Sequence, residues 1–290
     1  MQQPSILISG SNGQLGKELQ DAVASNNNFN FIFCSREEMD ITNFIALEKK
    51  FDEVQPTFFI NAAAYTAVDK AETEQEAAYT NNAEAVGNIA RLCSRFQTKL
   101  IHVSTDYVFN GQSNVPYKED DNCDPVNYYG YTKWLGEKLA LENNDNTIII
   151  RTSWVYSAYG NNFVKTMLRL MKERKEINVV NDQFGSPTYA KDLSEAILQI
   201  VQQQLQNKNT ATGIFHFSND GIINWYDFAT EIKNLMGFDC VIHPIASSQY
   251  KTAAKRPAYS GLSKEKIQRV YGIQLQDWKK SLQICLERLV

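Results

Sequence analysis

The stretch Ile6-Leu7-Ile8-Ser9-Gly10-Ser11-Asn12-Gly13-Gln14-Leu15-Gly16 decides how the rest of the chain is read. A short aliphatic run gives way to three evenly spaced glycines, and a helical pattern follows over residues 14–24. A strand that turns tightly into a helix leaves backbone N–H groups free at the helix N-terminus. Glycines let a pyrophosphate approach that backbone, and the helix dipole favours the anion. Gly10, Asn12, Gly13, Gln14, Leu15 and Gly16 are therefore the candidate phosphate-binding residues. The spacing is G-x-x-G-x-x-G rather than the usual G-x-G-x-x-G, and a glycine triplet alone also describes a flexible turn.

Working outward, short apolar runs alternate with helical patterns. Residues 29–34, 57–60, 100–103 and 147–150 read as further strands. Residues 43–54, 74–96 and 128–141 read as the helices between them. Continuous apolar strands separated by helices predict a doubly wound parallel α/β sheet of Rossmann type, covered on both faces. Beyond Arg151 the rhythm loosens into helices over 162–175, 191–205 and 224–236, short strands at 177–180 and 214–217, and a last helix from about 275. The expected division is a dinucleotide-binding domain over residues 1–153 with about 191–217. A smaller C-terminal α/β substrate-binding domain takes about 154–190 and 218–290.

Composition narrows the class. Lys plus Arg is 29 against 33 for Asp plus Glu, a net charge of −4, which argues against nucleic acid as a partner. The five cysteines are odd in number and widely spaced, so free thiols in a reducing, cytoplasmic setting are expected rather than a disulfide framework. The three histidines make no zinc spacing. No apolar run approaches the ~18 residues of a membrane span, and the start lacks a basic signal-peptide region.

The second strand should end beside an adenosine ribose, where an acid favours NAD and an arginine favours NADP. Arg36 followed by Glu37 leans toward NADPH and leaves NADH open; Arg36 as a plain surface cation is the bland alternative. Tyr129-Gly-Tyr-Thr-Lys133 places a phenol and an ammonium about one helical turn apart, on one face. A free tyrosine titrates near ~10, and a neighbouring ammonium is expected to pull it toward the working range. Ser104-Thr105-Asp106 follows a central strand, at the sheet edge where ligands of open α/β sheets bind. By itself that triplet is also ordinary turn chemistry.

Together, Gly10-x-x-Gly13-x-x-Gly16, Asn61-Ala-Ala-Ala64, Ser104-Thr-Asp106 and Tyr129-x-x-x-Lys133 resemble the extended short-chain dehydrogenase/reductases. Longer segments sharpen the likeness, among them residues 61–72, 104–109, 129–137, 151–156, 160–163, 181–188 and Arg256-Pro257. The resemblance implies NADPH or NADH as cofactor and reduction of dTDP-4-dehydro-L-rhamnose as the reaction. It implies that Gly13, Gln14 and Leu15 lie along the pyrophosphate, and that Asp40 and Ile41 sit at the adenosine end. Ala62, Ala63, Ala64, Tyr65 and Thr66 would run past the cofactor. Thr105, Tyr129 and Lys133 would be catalytic, with Tyr129 and Lys133 also on the cofactor, where Lys133 would hold the nicotinamide ribose; Thr105, Asp106 and Trp154 would meet the sugar, and Phe163, Thr188 and Arg256 the nucleotide side. Some family members hold Mg2+ with glutamates between two subunits. Glu18 and Glu287 could supply such ligands, but Lys191 stands where another acid is expected. No metal is therefore expected, and the chain is read as a monomer or homodimer.

Two other readings stay open here. A nucleotide-sugar epimerase or 4,6-dehydratase uses the same scaffold, although Tyr107 stands where a dehydratase's added glutamate is expected. A non-catalytic regulatory subunit resembling the β subunit of methionine adenosyltransferase would tolerate loss of the Thr–Tyr–Lys set, which is intact here.

Overall fold

The computed structural model describes residues 3–24 and 29–289. In chain order the first part runs β1 (Ser5–Ser9), α1 (Gln14–Val23), β2 (Asn30–Cys34), α2 (Phe44–Val54) and β3 (Phe58–Asn61). It continues through α3 (Gln75–Tyr79), α4 (Ala85–Arg95), β4 (Lys99–Thr105), α5 (Tyr128–Asn143) and β5 (Thr147–Thr152). The chain then leaves the sheet through β6 (Val155–Tyr156), α6 (Phe163–Glu173), β7 (Glu176–Val180), β8 (Phe184–Gly185) and β9 (Thr188–Tyr189). It returns as α7 (Ala190–Leu205), which packs on α1, and β10 (Gly213–His216), which pairs with β5. It departs again through β11 (Ile223–Asn224), α8 (Trp225–Met236) and β12 (Val241–Ile245), and finishes with α9 (Glu265–Tyr271) and α10 (Trp278–Glu287).

Among the described residues the central sheet has six parallel strands in the order β10-β5-β4-β3-β1-β2. Because β1 lies between β2 and β3, the winding reverses there. A crevice therefore opens beyond the C-terminal ends of β1 and β3, the place where this architecture binds ligands. Side chains alternate across a strand, and both faces of this sheet are covered. Ile6 and Ile8 enter one layer with Leu15, Leu19, Leu193 and Ile197. Leu7 enters the other with Leu47, Phe51, Val86 and Ile89. That double burial is why the strands read as unbroken apolar runs.

A further core holds Val164, Met167, Phe228, Ile232, Leu282 and Leu286 under the second part of the chain. The packing crosses the predicted division: Leu262 of the C-terminal stretch packs with Val108, Phe109 and Tyr117. Ile267 and Tyr271 of α9, with Ile273, pack beside Phe215 and Ile200 on the sheet, not with the C-terminal core. The stretch over 74–96 also departs from expectation. Thr80–Glu84 forms a turn of π-helix between α3 and α4. Among the described residues no helix is long and apolar enough to cross a membrane, and all five cysteines are free.

Candidate active site

A cavity of ≈ 770 Å³ runs along the C-terminal ends of β1, β3, β4 and β5. Gly10, Asn12, Gly13, Gln14 and Leu15 line one end of it. Gly10 has φ +73°, and a Cβ there would come within 2.8 Å of the Ala62 backbone. Only glycine meets both demands at low cost. Gly16, also expected on the phosphate, does not line the cavity. A Cβ on it would overlap the Gly10 carbonyl, so its work is to seat α1 against the turn. Gly13 caps α1 without a side-chain hydrogen bond, which leaves first-turn N–H groups available to an anion. Arg36, Glu37, Asp40 and Ile41 line the outer part. The Arg36 guanidinium lies 3.4 Å from Asp40 and is well exposed. Burial pushes the Asp40 carboxyl up, but hydrogen bonds from Thr42 and the Arg36 guanidinium outweigh it and hold the group below its ordinary range. These groups fit a dinucleotide: a backbone cradle for the pyrophosphate, and mixed charge where a ribose hydroxyl or phosphate would sit.

Ala62, Ala63, Ala64 and Thr66 form the middle wall. Tyr65 does not line the cavity. Its backbone is clamped by Asn82, whose Oδ1 accepts from Tyr65 N at 2.9 Å and whose Nδ2 donates to Tyr65 O at 3.0 Å. Its hydroxyl donates to Glu74 at 2.6 Å.

Thr105, Asp106, Tyr129 and Lys133 converge on the inner part of the same cavity. Thr105 ends β4, and its Oγ1 accepts from Tyr107 N at 3.2 Å, which bends the chain away from the sheet. Asn127 caps α5 by accepting from Gly130 N at 2.8 Å, which fixes the first turn where Tyr129 sits. Thr105 donates to Asp106 Oδ1 at 3.0 Å. Asp106 Oδ2 and Ser104 Oγ are buried and meet no protein partner. Burial pushes the Asp106 carboxyl up to about 6, against the pull of the nearby Ser260 hydroxyl and the Thr105 hydrogen bond.

The Tyr129–Lys133 pair is tuned differently from expectation. Tyr129 keeps part of its surface on the cavity, yet desolvation pushes its phenol up to about 12, with Thr105 opposing and Asp106 adding. Lys133 does not contribute to that shift. Its Nζ is turned to β4, donating to Val103 O at 2.8 Å and meeting His102 Nε2 at 3.2 Å. Burial pushes Lys133 down to about 8, with the Glu137 carboxylate pulling it up.

Trp154 lines the cavity with φ +47°, an uncommon conformation for a bulky residue. Its ring stacks on Trp225 at 3.6 Å and 12°. Trp225 also lines the cavity, and the sequence offered only a helix start there. Three expected substrate residues lie elsewhere. Phe163 packs on Trp225 and Phe228, inside the C-terminal core. Thr188 is buried and accepts from Thr152 Oγ1 at 3.1 Å. Arg256 is held by Asp69 through two bonds of 3.0 and 2.7 Å, away from the cavity wall. Ser104, Tyr107, Gly160 and Asn161 line it and were not singled out individually as site residues. Glu18, which the resemblance offered as a metal ligand, is fully buried and paired with Arg288 at 2.7 Å. Lys191 pairs with Glu195. Among the described residues no group of three or more His, Cys, Asp or Glu could hold a metal ion.

A doubly wound sheet with a glycine turn and a Thr–Tyr–Lys constellation on one crevice defines the class of dinucleotide-binding α/β proteins with a polar reaction end. The chain belongs to the RmlD substrate binding domain family, whose pattern it matches over residues 4–290. It is 41% identical over 283 residues, 96% of each chain, to a dTDP-4-dehydrorhamnose reductase of Aggregatibacter actinomycetemcomitans. Among solved structures it resembles a dTDP-4-dehydrorhamnose reductase from Clostridium acetobutylicum, with TM-score 0.93, 39% identity and coverage of 98% and 99% of the two chains. The enzyme of that name from Bacillus anthracis, solved in complex with NADP, matches with TM-score 0.93, 37% identity and 99% coverage of each chain.

Proposed function

We propose that this chain is a dTDP-4-dehydrorhamnose reductase, using NADPH to reduce the C4 ketone of dTDP-4-dehydro-L-rhamnose to the hydroxyl of dTDP-L-rhamnose. One observation carries the reading: the phosphate-binding turn and the Thr105–Tyr129–Lys133 set open onto one continuous cavity. The likeness to reductases of that name, one of them with NADP bound, supports the substrate and the cofactor.

The cofactor, when bound, supplies hydride to the carbonyl carbon. The chain supplies orientation and the proton. Tyr129, raised by desolvation to about 12, holds its proton at neutral pH and gives it to the carbonyl oxygen. Thr105 turns its hydroxyl from Asp106 to the same oxygen, where the bond strengthens as charge grows. Ser104 Oγ and Asp106 Oδ2, both without protein partners, receive the sugar hydroxyls. The Trp154–Trp225 stack presents an aromatic edge to the substrate. Gly10, Gly13 and the first turn of α1 hold the pyrophosphate. Arg36 suits a 2′-phosphate, and Glu37 beside it keeps NADH usable. Arg256 could reach the nucleotide only by giving up Asp69, so it is not assigned a contact.

In this reading residues 1–153, about 191–217 and α9 form the cofactor unit, and the remainder covers the substrate. The burial of Glu18 with Arg288 supports a chain without a bridging metal. The chain is read as a monomer or homodimer. Unpaired cysteines support the cytoplasm as its location.

The test is turnover by the purified chain with the keto-sugar and either NADPH or NADH. Cofactor oxidation in step with formation of dTDP-L-rhamnose is expected. Sugar conversion without net cofactor consumption would favour an epimerase. Tight NADPH binding with no turnover would favour a regulatory subunit.

A further inference from the structure

Beneath the cavity, β1, β3 and β4 carry a line of buried polar groups that the reaction scheme above leaves unused. Ser9 Oγ donates to Asn61 Oδ1 at 2.7 Å, and Ala63 N donates to the same oxygen at 3.3 Å. Asn61 Nδ2 lies 3.1 Å from His102 Nδ1, and His102 Nε2 lies 3.2 Å from Lys133 Nζ. Ser9, Asn61, His102 and Lys133 are all buried.

Proton bookkeeping makes this line informative. A neutral imidazole has one N–H and one lone pair, so it cannot accept on both nitrogens. The Asn61 oxygen is already taken by Ser9 and Ala63, so its amide N–H faces Nδ1. Turning the amide over would set its NH2 against Ala63 N–H, donor against donor. Nδ1 is then the acceptor, Nε2 carries the hydrogen, and that hydrogen points at Lys133 Nζ. An ammonium there would also be a donor and could not complete the bond.

We propose that Asn61 and His102 are positioning residues whose Nε2–H bond to Lys133 Nζ favours the neutral amine, so that this lysine loads and releases a proton near neutral pH rather than staying a permanent cation. Burial acts on the lysine in the same sense, pushing it down to about 8; His102 is held well below its ordinary value by burial first and by the Lys133 charge second, so the imidazole stays neutral. The other titratable groups facing the pair are Tyr129 and Glu137 on α5 and Asp106 on the turn after β4. Glu137 is committed to a fully buried pair with Arg151 at 2.7 Å, and Asp106 to Thr105. Neither offers Lys133 a close counter-ion.

The proposal rests on Tyr129 and Lys133 being the reacting pair, but its first test needs no turnover, so the two can fail separately. With only three histidines in the chain, nitrogen NMR of the whole protein reads the His102 tautomer directly. The Nε2–H form at neutral pH is expected; the Nδ1–H form or an imidazolium overturns the proposal. His102→Phe then removes the ring N–H without adding charge. The limb of the kcat–pH profile that reports Lys133 should move up by about one pH unit, a roughly tenfold change in proton affinity. A lower kcat with an unmoved limb would mean that His102 only fills space, and would overturn the proposal. Should this variant fail to fold, the wild-type tautomer alone decides.

Discussion

Tyr129 and Lys133 share a helix face, yet their polar atoms answer to different neighbours. The pairing was legible from spacing. Its electrostatics were not, because whether a lysine faces a phenol or the strand beneath it depends on packing. Tyr129→Phe should lower turnover by ~10²–10⁴-fold, the usual worth of a placed acid, while NADPH binding by fluorescence titration stays intact. Near wild-type turnover would remove Tyr129 from the role of proton donor. Asp106 gives a prediction in the opposite direction. Its carboxyl is raised from 3.8 to about 6 by burial, so the folded chain binds that proton more tightly than the unfolded chain. Stability from this group is present below about 4 and is lost as pH rises through 6. At pH 7 the ionised group costs about 3 kcal/mol. Asp106→Asn should therefore raise the denaturation midpoint at pH 7, lose that advantage near pH 4, and turn over more slowly. An equal gain at both pH values would separate the effect from ionisation.

At the scale of elements, the strands and the long helices could be read because both faces of the sheet are covered and apolar periodicity is clean. Elements whose role is irregular could not. The seven-residue α9 is too short to show a period, and the largely exposed β12 carries Pro244 and no buried residue. The π turn over Thr80–Glu84 has no signature of its own, but its purpose is visible in Asn82. That side chain bonds both backbone groups of Tyr65 and lies 3.2 Å from Thr132 Oγ1 on α5. It ties the Ala62–Thr66 wall to the helix that carries Tyr129. Asn82→Ala leaves the Tyr65 N–H and C=O without those partners, a loss of roughly 2–4 kcal/mol. It should also raise KM for NADPH more than it lowers kcat. Urea unfolding and steady-state kinetics check the two halves, and an unchanged KM would separate the clamp from the cofactor wall. Trp225 escaped sequence reading for a related reason. It reaches the cavity from a part of the chain whose pattern speaks only of a helix start.

Across the whole molecule, the C-terminus is tied to the N-terminal helix. Arg288 reaches Glu18 and Asp21, each at 2.7 Å, and Tyr189 at 2.8 Å. Glu18 is fully buried, so removing its cation strands a charge. Arg288→Ala should lower stability by roughly 3–5 kcal/mol, and adding Glu18→Gln should recover part of the loss, read as midpoints of thermal or denaturant unfolding. No recovery would show that Arg288 acts through packing instead. The returning strand β10 has a different consequence, in time rather than in space. The sheet's outer position beside β5 is filled only when Gly213–His216 arrives. During synthesis, five strands must wait with one flank of β5 unpaired while the intervening lobe emerges first. The lobe is itself unfinished until α8 and α10 follow. Neither half can close before most of the chain exists, so the nascent protein passes through a long interval with an open sheet edge, the state in which chains most readily pair with the wrong neighbour.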